Sequence, residues 1–384
     1  MKTALNYVFI LLLLWSLLLE QNAITSQKLA SELGRQLEQF NKYVVVTIQT
    51  RHGDTYDCVD FYKQPAFDHP SLHNRKFDLK EMNFAFEDLE GRVTDSSSFR
   101  SKLSGIWLND EGCPIGTVPI RKISKTNLLK ANLTASVAPD LNPRVHVALL
   151  RSTGEKKYYG GGMYTTVYNP IVRENQYSAS RMKLQNGPDS IAVGWMVNPS
   201  LYQDKQARIF IYTKTTDSHC YNTFCPGFVI TNHDIPLDLA LTPISERGKS
   251  LYEQNFFIRK HPTTGDWFLM IGRYIRILGF WPKEIFTELA DFANYAEWGG
   301  EVYNPDPDGV TPPQMGSGQF PVENLIEDGL ARLVLAVNEN YEYDYNPSDC
   351  EAYADDEGYK VIDKGDVGPK FHRLVLFGGD GSHP

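Results

Sequence analysis

Ile191-Ala192-Val193-Gly194-Trp195-Met196-Val197 runs into Asn198-Pro199-Ser200, and a second apolar run follows at residues 207–213. Two short runs rich in β-branched and aromatic residues, split by an Asn-Pro break, read as neighbouring strands. The same rhythm repeats outward from this pair, at residues 145–150, 164–167, 227–230, 256–260, 267–271 and 274–278. Many short strands separated by Gly, Pro and Asn predict an all-β domain, a sandwich or a barrel. Only residues 283–295, after Pro282, read as helix in this region. No internal repeat or low-complexity tract interrupts the pattern.

Upstream, the character differs. Leu29, Leu33, Leu37 and Phe40 recur at helical spacing and predict one amphipathic helix. Residues 44–49 are strand-like, and a turn at Gly53-Asp54 leads into residues 56–61, which predicts a hairpin. Residues 64–82 carry Pro, His and Asn and read as loop. Residues 124–144 mix Ser, Asn and Pro without periodicity and read as a linker or processing region. The expected division is a leader at 1–26, a small α+β unit at 27–135 and a β-domain at 136–384.

The leader reading rests on Lys2, the apolar run at residues 8–19 and its end at Glu20-Gln21-Asn22. That run is too short to cross about 30 Å of hydrocarbon at about 1.5 Å per residue, so it predicts a cleaved signal peptide and a secreted protein. No other segment reads as a membrane span. The chain has 384 residues, 42% of them hydrophobic and 22% charged, which is an ordinary globular composition. A net charge of -9 and the lack of a basic tract argue against nucleic acid as a partner.

Five cysteines agree with export. Cys220 and Cys225 flank a short loop and suit a tight disulfide; Cys58 and Cys113 form the natural second pair, which leaves Cys350 over. No second close Cys or His pair accompanies Cys220 and Cys225, so a zinc site is not expected, and no cofactor motif is present. Asn132-Leu133-Thr134 is a glycosylation sequon. Asn304-Pro305-Asp306-Pro307-Asp308-Gly309 copies the start of a calcium loop, but its twelfth position is Met315, so it reads as a turn.

Carboxylates and aromatics remain as carriers of chemistry. Glu297-Trp298-Gly299-Gly300-Glu301-Val302-Tyr303 sets two glycines beside a Trp in an apparent strand, which implies close backbone approach or an open groove. A Glu in such a place suits a general base on water. In a regular strand, four residues at about 3.3 Å each separate the Cα atoms of Glu297 and Glu301 by roughly 13 Å. Two carboxyls that share one proton need oxygens near about 3 Å, so a partner for Glu301 is expected from another strand.

Several blocks taken together resemble the neprosin family. Asp57-Cys58-Val59-Asp60-Phe61-Tyr62-Lys63-Gln64-Pro65-Ala66-Phe67-Asp68-His69-Pro70 resembles its activation-peptide signature. Cys220-Tyr221-Asn222 with Cys225-Pro226-Gly227-Phe228-Val229 resembles its paired-Cys motif, and Gly279-Phe280-Trp281-Pro282 its Gly-Tyr-Trp-Pro element. Trp298-Gly299-Gly300-Glu301 and Gln314-Met315-Gly316-Ser317-Gly318-Gln319-Phe320-Pro321 resemble its last two blocks. The resemblance implies a plant secreted protein of the cell wall or apoplast. It also implies a pro-domain that blocks the groove until removed at low pH, an antiparallel, jelly-roll-like β-sandwich, and glutamic endopeptidase chemistry after proline. In that chemistry one ionised Glu activates water while a second, protonated Glu polarises the scissile carbonyl or protonates the amine.

Glu301 matches one of the two family glutamates. The other belongs to an Ile-Glu-Ala-Gly-Trp block, which here reads Ile191-Ala192-Val193-Gly194-Trp195, so Ala192 takes its place. An upstream strand that usually carries Gln and Trp carries Arg181 and Lys183. An Arg181–Glu301 ion pair would favour the charged carboxylate and remove an acid. Glu174 and Gln176 are the nearest substitutes in sequence. The expectation is therefore a weakly active or inactive family member. Its groove would be lined by Arg181, Trp195, Trp298 and Gln314 and would hold a proline-containing peptide or wall glycan. The alternatives are an active acid endopeptidase with another acid group, and a purely binding sandwich.

Overall fold

The computed structural model describes residues 43–73, 75–77, 105–122, 142–154, 156–272, 275–307 and 309–382, besides Ser31 and Gly34. The leader, the amphipathic-helix residues Leu29, Leu33, Leu37 and Phe40, and the sequon at Asn132 lie outside the described residues, as does most of the expected linker. Among the described residues no helix is long and apolar enough to cross a membrane.

The N-terminal unit is a three-stranded antiparallel sheet of β1 (Val44–Gln49), β2 (Thr55–Asp60) and β3 (Thr117–Arg121). The expected hairpin is β1–β2. Short 3-10 turns at Phe61–Lys63, Pro65–Asp68 and Pro70–Leu72 occupy the Pro-rich stretch. Cys58 and Cys113 are joined, with Cα atoms 5.5 Å apart.

The remaining strands follow in chain order. They begin with β4 (Val145–Ser152), β5 (Gly160–Thr166), β6 (Tyr177–Asn186), β7 (Asp189–Val197), β8 (Arg208–Lys214) and β9 (His219–Tyr221). Next come β10 (Val229–Ile230), β11 (Glu253–Lys260), β12 (Trp267–Ile271), β13 (Arg276–Trp281), β14 (Tyr295–Tyr303) and β15 (Met315–Gly316). Last are β16 (Gly329–Val337), β17 (Tyr343–Asp344), β18 (Cys350–Ala354), β19 (Lys360–Asp366) and β20 (Arg373–Gly379).

They form two antiparallel sheets. A seven-stranded sheet has the order β18-β4-β14-β6-β7-β8-β9. A ten-stranded sheet has the order β10-β13-β12-β11-β5-β16-β20-β15, with β17 and β19 added at its side. The sheets pack face to face. Trp195 Nε1 donates to Thr166 O across the gap at 2.9 Å, and Thr165 Oγ1 meets Ser180 Oγ at 2.7 Å. The fold is the all-β antiparallel sandwich that the strand rhythm implies, with a small N-terminal unit.

Strand periodicity sorts the seven-stranded sheet into two faces. Ile191, Val193, Trp195 and Val197 of β7 enter the main core, as do Met182 and Leu184 of β6 and Trp298 of β14. Ala192 and Met196 point the other way and join Tyr177, Ala179, Phe210, Tyr212 and Tyr221 in a second cluster. Both faces are covered, which is why residues 191–197 of β7 run apolar without alternation.

The helix expected at 283–295 does not form. A 3-10 turn spans Lys283–Ile285 and the chain then runs irregularly into β14. Distant side chains take up the backbone groups that a helix would pair internally. The Asp189 carboxylate accepts from Thr287 N at 2.6 Å and Leu289 N at 3.2 Å, and Trp267 Nε1 donates to Leu289 O at 2.9 Å. Asn186 Nδ2 donates to Glu288 O and Phe292 O. These tertiary bonds satisfy the segment without helix.

Candidate active site

The site lies on the outer face of the seven-stranded sheet, where β14, β6, β7, β8 and β9 run side by side. Register decides which residues meet. On β14, Glu297 pairs with Lys183, Gly299 with Arg181 and Glu301 with Ala179 of β6. On β7, Ala192 pairs with Lys183 and Gly194 with Arg181. Arg181 therefore has glycines as neighbours on both strands, which leaves its long side chain room to lie along the sheet. Gly299 is glycine for a second reason. Its φ is +148°, and a Cβ there would stand 2.5 Å from Ala148 O of β4.

Glu301 is held on both oxygens. Oε1 accepts from Tyr177 Oη at 2.7 Å, and Oε2 accepts from Arg181 Nε at 2.6 Å with Nη2 also at 2.6 Å. The other end of the guanidinium reaches Glu297, with Nη1 2.5 Å from Oε1. Glu297 also takes Lys183 Nζ at 3.1 Å and the Tyr295 hydroxyl at 2.5 Å. Lys183, Glu297, Arg181 and Glu301 thus form a chain of alternating charge with no net charge, and all four side chains are buried. Burial pushes the Glu297 carboxyl up, but Arg181 and Lys183 outweigh it and hold the group down at about 2. Burial, with Glu301 next to it, raises the Tyr177 phenol well above its ordinary value, so it stays a donor.

Arg181, Lys183, Ala192, Phe210, Tyr212, Tyr221 and Glu301 line one small cavity of about 10 Å³, room for a single water molecule. The structure therefore brings together Glu301, Ala192 and Arg181. Glu297 and Glu301 do not meet directly, in line with their spacing along the strand; Arg181 bridges their carboxylates. The reach of an arginine side chain is invisible to a Cα estimate. Tyr177, Tyr212 and Tyr221 are members that sequence reasoning missed; the period-2 alternation from Ala179 to Tyr177 was the available signal.

Other expected groove residues lie elsewhere. Trp195 and Trp298 are fully buried in the main core on the inner face, one residue out of phase with Gly194 and Gly299. Gln314 anchors the residue-171 loop, accepting from Ile171 N at 3.0 Å through Oε1. Gln176 is tied to Asn304 Oδ1 and Thr311 O, and Glu174 is exposed before β6, so neither reaches Glu301. Cys220 and Cys225 are joined, and Cys350 is free. Among the described residues no group of three or more His, Cys, Asp and Glu is placed to hold a metal ion.

The fold and site define a class: a double-sheet β-sandwich with a buried glutamate at the middle of one sheet. The neprosin family model matches residues 174–380, and the neprosin activation peptide model matches residues 47–156. The chain belongs to the neprosin family. Among solved structures it is similar to a scytalido-glutamic peptidase with a peptide-based transition-state analogue. That match has 6% identity and a TM-score of 0.34, over 62% of this chain and 98% of the other. It is also similar to CG-16, a homodimeric agglutinin from chicken liver, at 6% identity and a TM-score of 0.22, over 41% of this chain and 94% of the other.

Proposed function

We propose that this chain is a secreted neprosin-family protein that has lost glutamic peptidase chemistry and acts without hydrolysing peptides. The observation that carries this reading is the double hold of Arg181 on Glu301. A general base needs a free lone pair facing water. Here one carboxylate oxygen faces a guanidinium and the other a phenol. The reaction also needs a protonated acid. Ala192 supplies none, and Glu297, held at about 2, is ionised at pH 4 to 5. Two disulfides suit the oxidising compartment that a cleaved leader implies. In place of hydrolysis, binding of a proline-containing peptide in the wall or apoplast is supported by the family membership; Phe210, Tyr212 and Tyr221 are buried and offer no open surface.

Reversion tests this reading. Ala192→Glu alone is expected to stay inactive on a proline-containing peptide at acidic pH, because Arg181 still occupies Glu301. Ala192→Glu combined with Arg181→Gln and Lys183→Trp is expected to gain cleavage. Activity in Ala192→Glu alone would show that Arg181 does not block the site.

A further inference from the structure

The N-terminal unit meets the sandwich through more than a groove plug. Val59, Phe61, Ala66, Leu72, Phe77 and Ile120 are buried in the same hydrophobic core as the two sheets. Phe77 packs edge-on against Phe280 of β13, with centroids 5.0 Å apart. Among the described residues, most of the unit's buried apolar side chains belong to this shared core.

Polar contacts follow the same seam. Arg208 opens β8 and is 1% exposed. Its guanidinium takes Asp54 of the N-terminal unit bidentately, at 2.9 and 2.8 Å, and Asp204 of the sandwich at 2.6 Å. Arg75 pairs at 3.0 Å with Asp266, whose side chain is buried. β10 stands at one end of the ten-stranded sheet, and Gln64 covers it. The Gln64 side chain accepts from Ile230 N at 2.8 Å and donates to Ile230 O at 3.0 Å, as a neighbouring strand would. Trp107 Nε1 donates to Asp234 O at 2.8 Å. Departure would take an ion-pair partner from buried Arg208 and from buried Asp266 and would bare a sheet edge.

We propose that this surface makes the N-terminal unit, residues 44–121, a permanent non-covalent subunit of the sandwich that stays bound after the chain between them is cut. Neither disulfide crosses the seam: Cys58–Cys113 lies within the unit and Cys220–Cys225 within the sandwich. Retention therefore rests on the contacts above. The partner of this face is the chain's own first segment, and the inference holds whether or not the protein hydrolyses peptides.

The test uses the full-length protein with a site-specific protease recognition sequence placed between residues 123 and 141. After complete cutting, the two fragments are expected to co-elute on size exclusion as one particle at pH 7 and pH 5. The circular dichroism spectrum should match that of the uncut protein. Release of the N-terminal fragment as a separate peak would overturn the proposal. Asp54→Ala and Gln64→Ala, each checked uncut for native elution, are expected to speed fragment release by at least tenfold once cut. Release no faster than from the unsubstituted protein in both variants would overturn the assignment of the seam to these contacts. If Asp54→Ala does not fold, Gln64→Ala, outside the ion cluster, decides it.

Discussion

At the scale of the residue, a carboxylate is defined by what holds it. Glu301 is held by Arg181 as half of an ion pair. Glu297 carries a measurable consequence. Its carboxyl is held at about 2 in the fold against 4.5 for the free group. A depressed folded value adds stability above about pH 4.5, and that stability is lost as pH falls toward 2. The span corresponds to on the order of 3 kcal/mol. Glu297→Gln is expected to lower stability at pH 7 and to flatten its loss between pH 4.5 and 2, measured by urea unfolding at several pH values. An unchanged slope would mean that Arg181 and Lys183 do not hold Glu297 in this way. Trp195 and Trp298 belong to the core. Trp195→Ala is expected to cost about 3–5 kcal/mol, a loss that a groove residue would not show. That Glu301, Ala192 and Arg181 come together was legible because each is a single residue inside a short quotable block. Glu297 was not, because its partner reaches it along the side chain and not along the backbone.

At the scale of the element, the strands were readable wherever apolar runs had clear breaks. Residues 267–271 are an example, and β12 spans the same positions. The segment at 283–295 misled because its local pattern is helical while Asp189, Asn186, Lys260 and Trp267 hold its backbone from a distance. No local signal in 283–295 announces partners that far away in the chain. β14 depends on Gly299 in a way the sequence did suggest. Gly299→Ala combines a left-handed φ with a clash against the β4 backbone. It is expected to destabilise the sheet by about 2–4 kcal/mol, read as a lower urea midpoint. A neutral substitution would show that β4 yields at little cost.

At the scale of the molecule, two sheets and an N-terminal unit share one core. Asp238 sits near their seam, buried and close to Arg121, Arg208 and Asp54. Burial raises its carboxyl to about 7, although the two arginines pull the other way. A raised folded value favours the native state below the free value of 3.8, and the advantage is lost as pH climbs through 7. Asp238→Asn is expected to remove the loss of stability between about pH 4 and 7, followed by thermal unfolding across that range. This trend opposes that of Glu297, so the two substitutions should bend the pH profile at opposite ends. The change of strand rhythm near residue 144 coincides with the start of β4 at Val145. The depth of contact between unit and sandwich was not legible, since Asp54 and Arg208 meet across more than a hundred residues.

The central claim is that Glu301, held by Arg181 and facing Ala192, no longer activates water. The direct measurement is cleavage of proline-containing peptides by the full chain at pH 4 to 5, beside Glu301→Gln. The expected result is no cleavage above the Glu301→Gln background at any time point. Cleavage by the unsubstituted chain that disappears in Glu301→Gln would contradict the account.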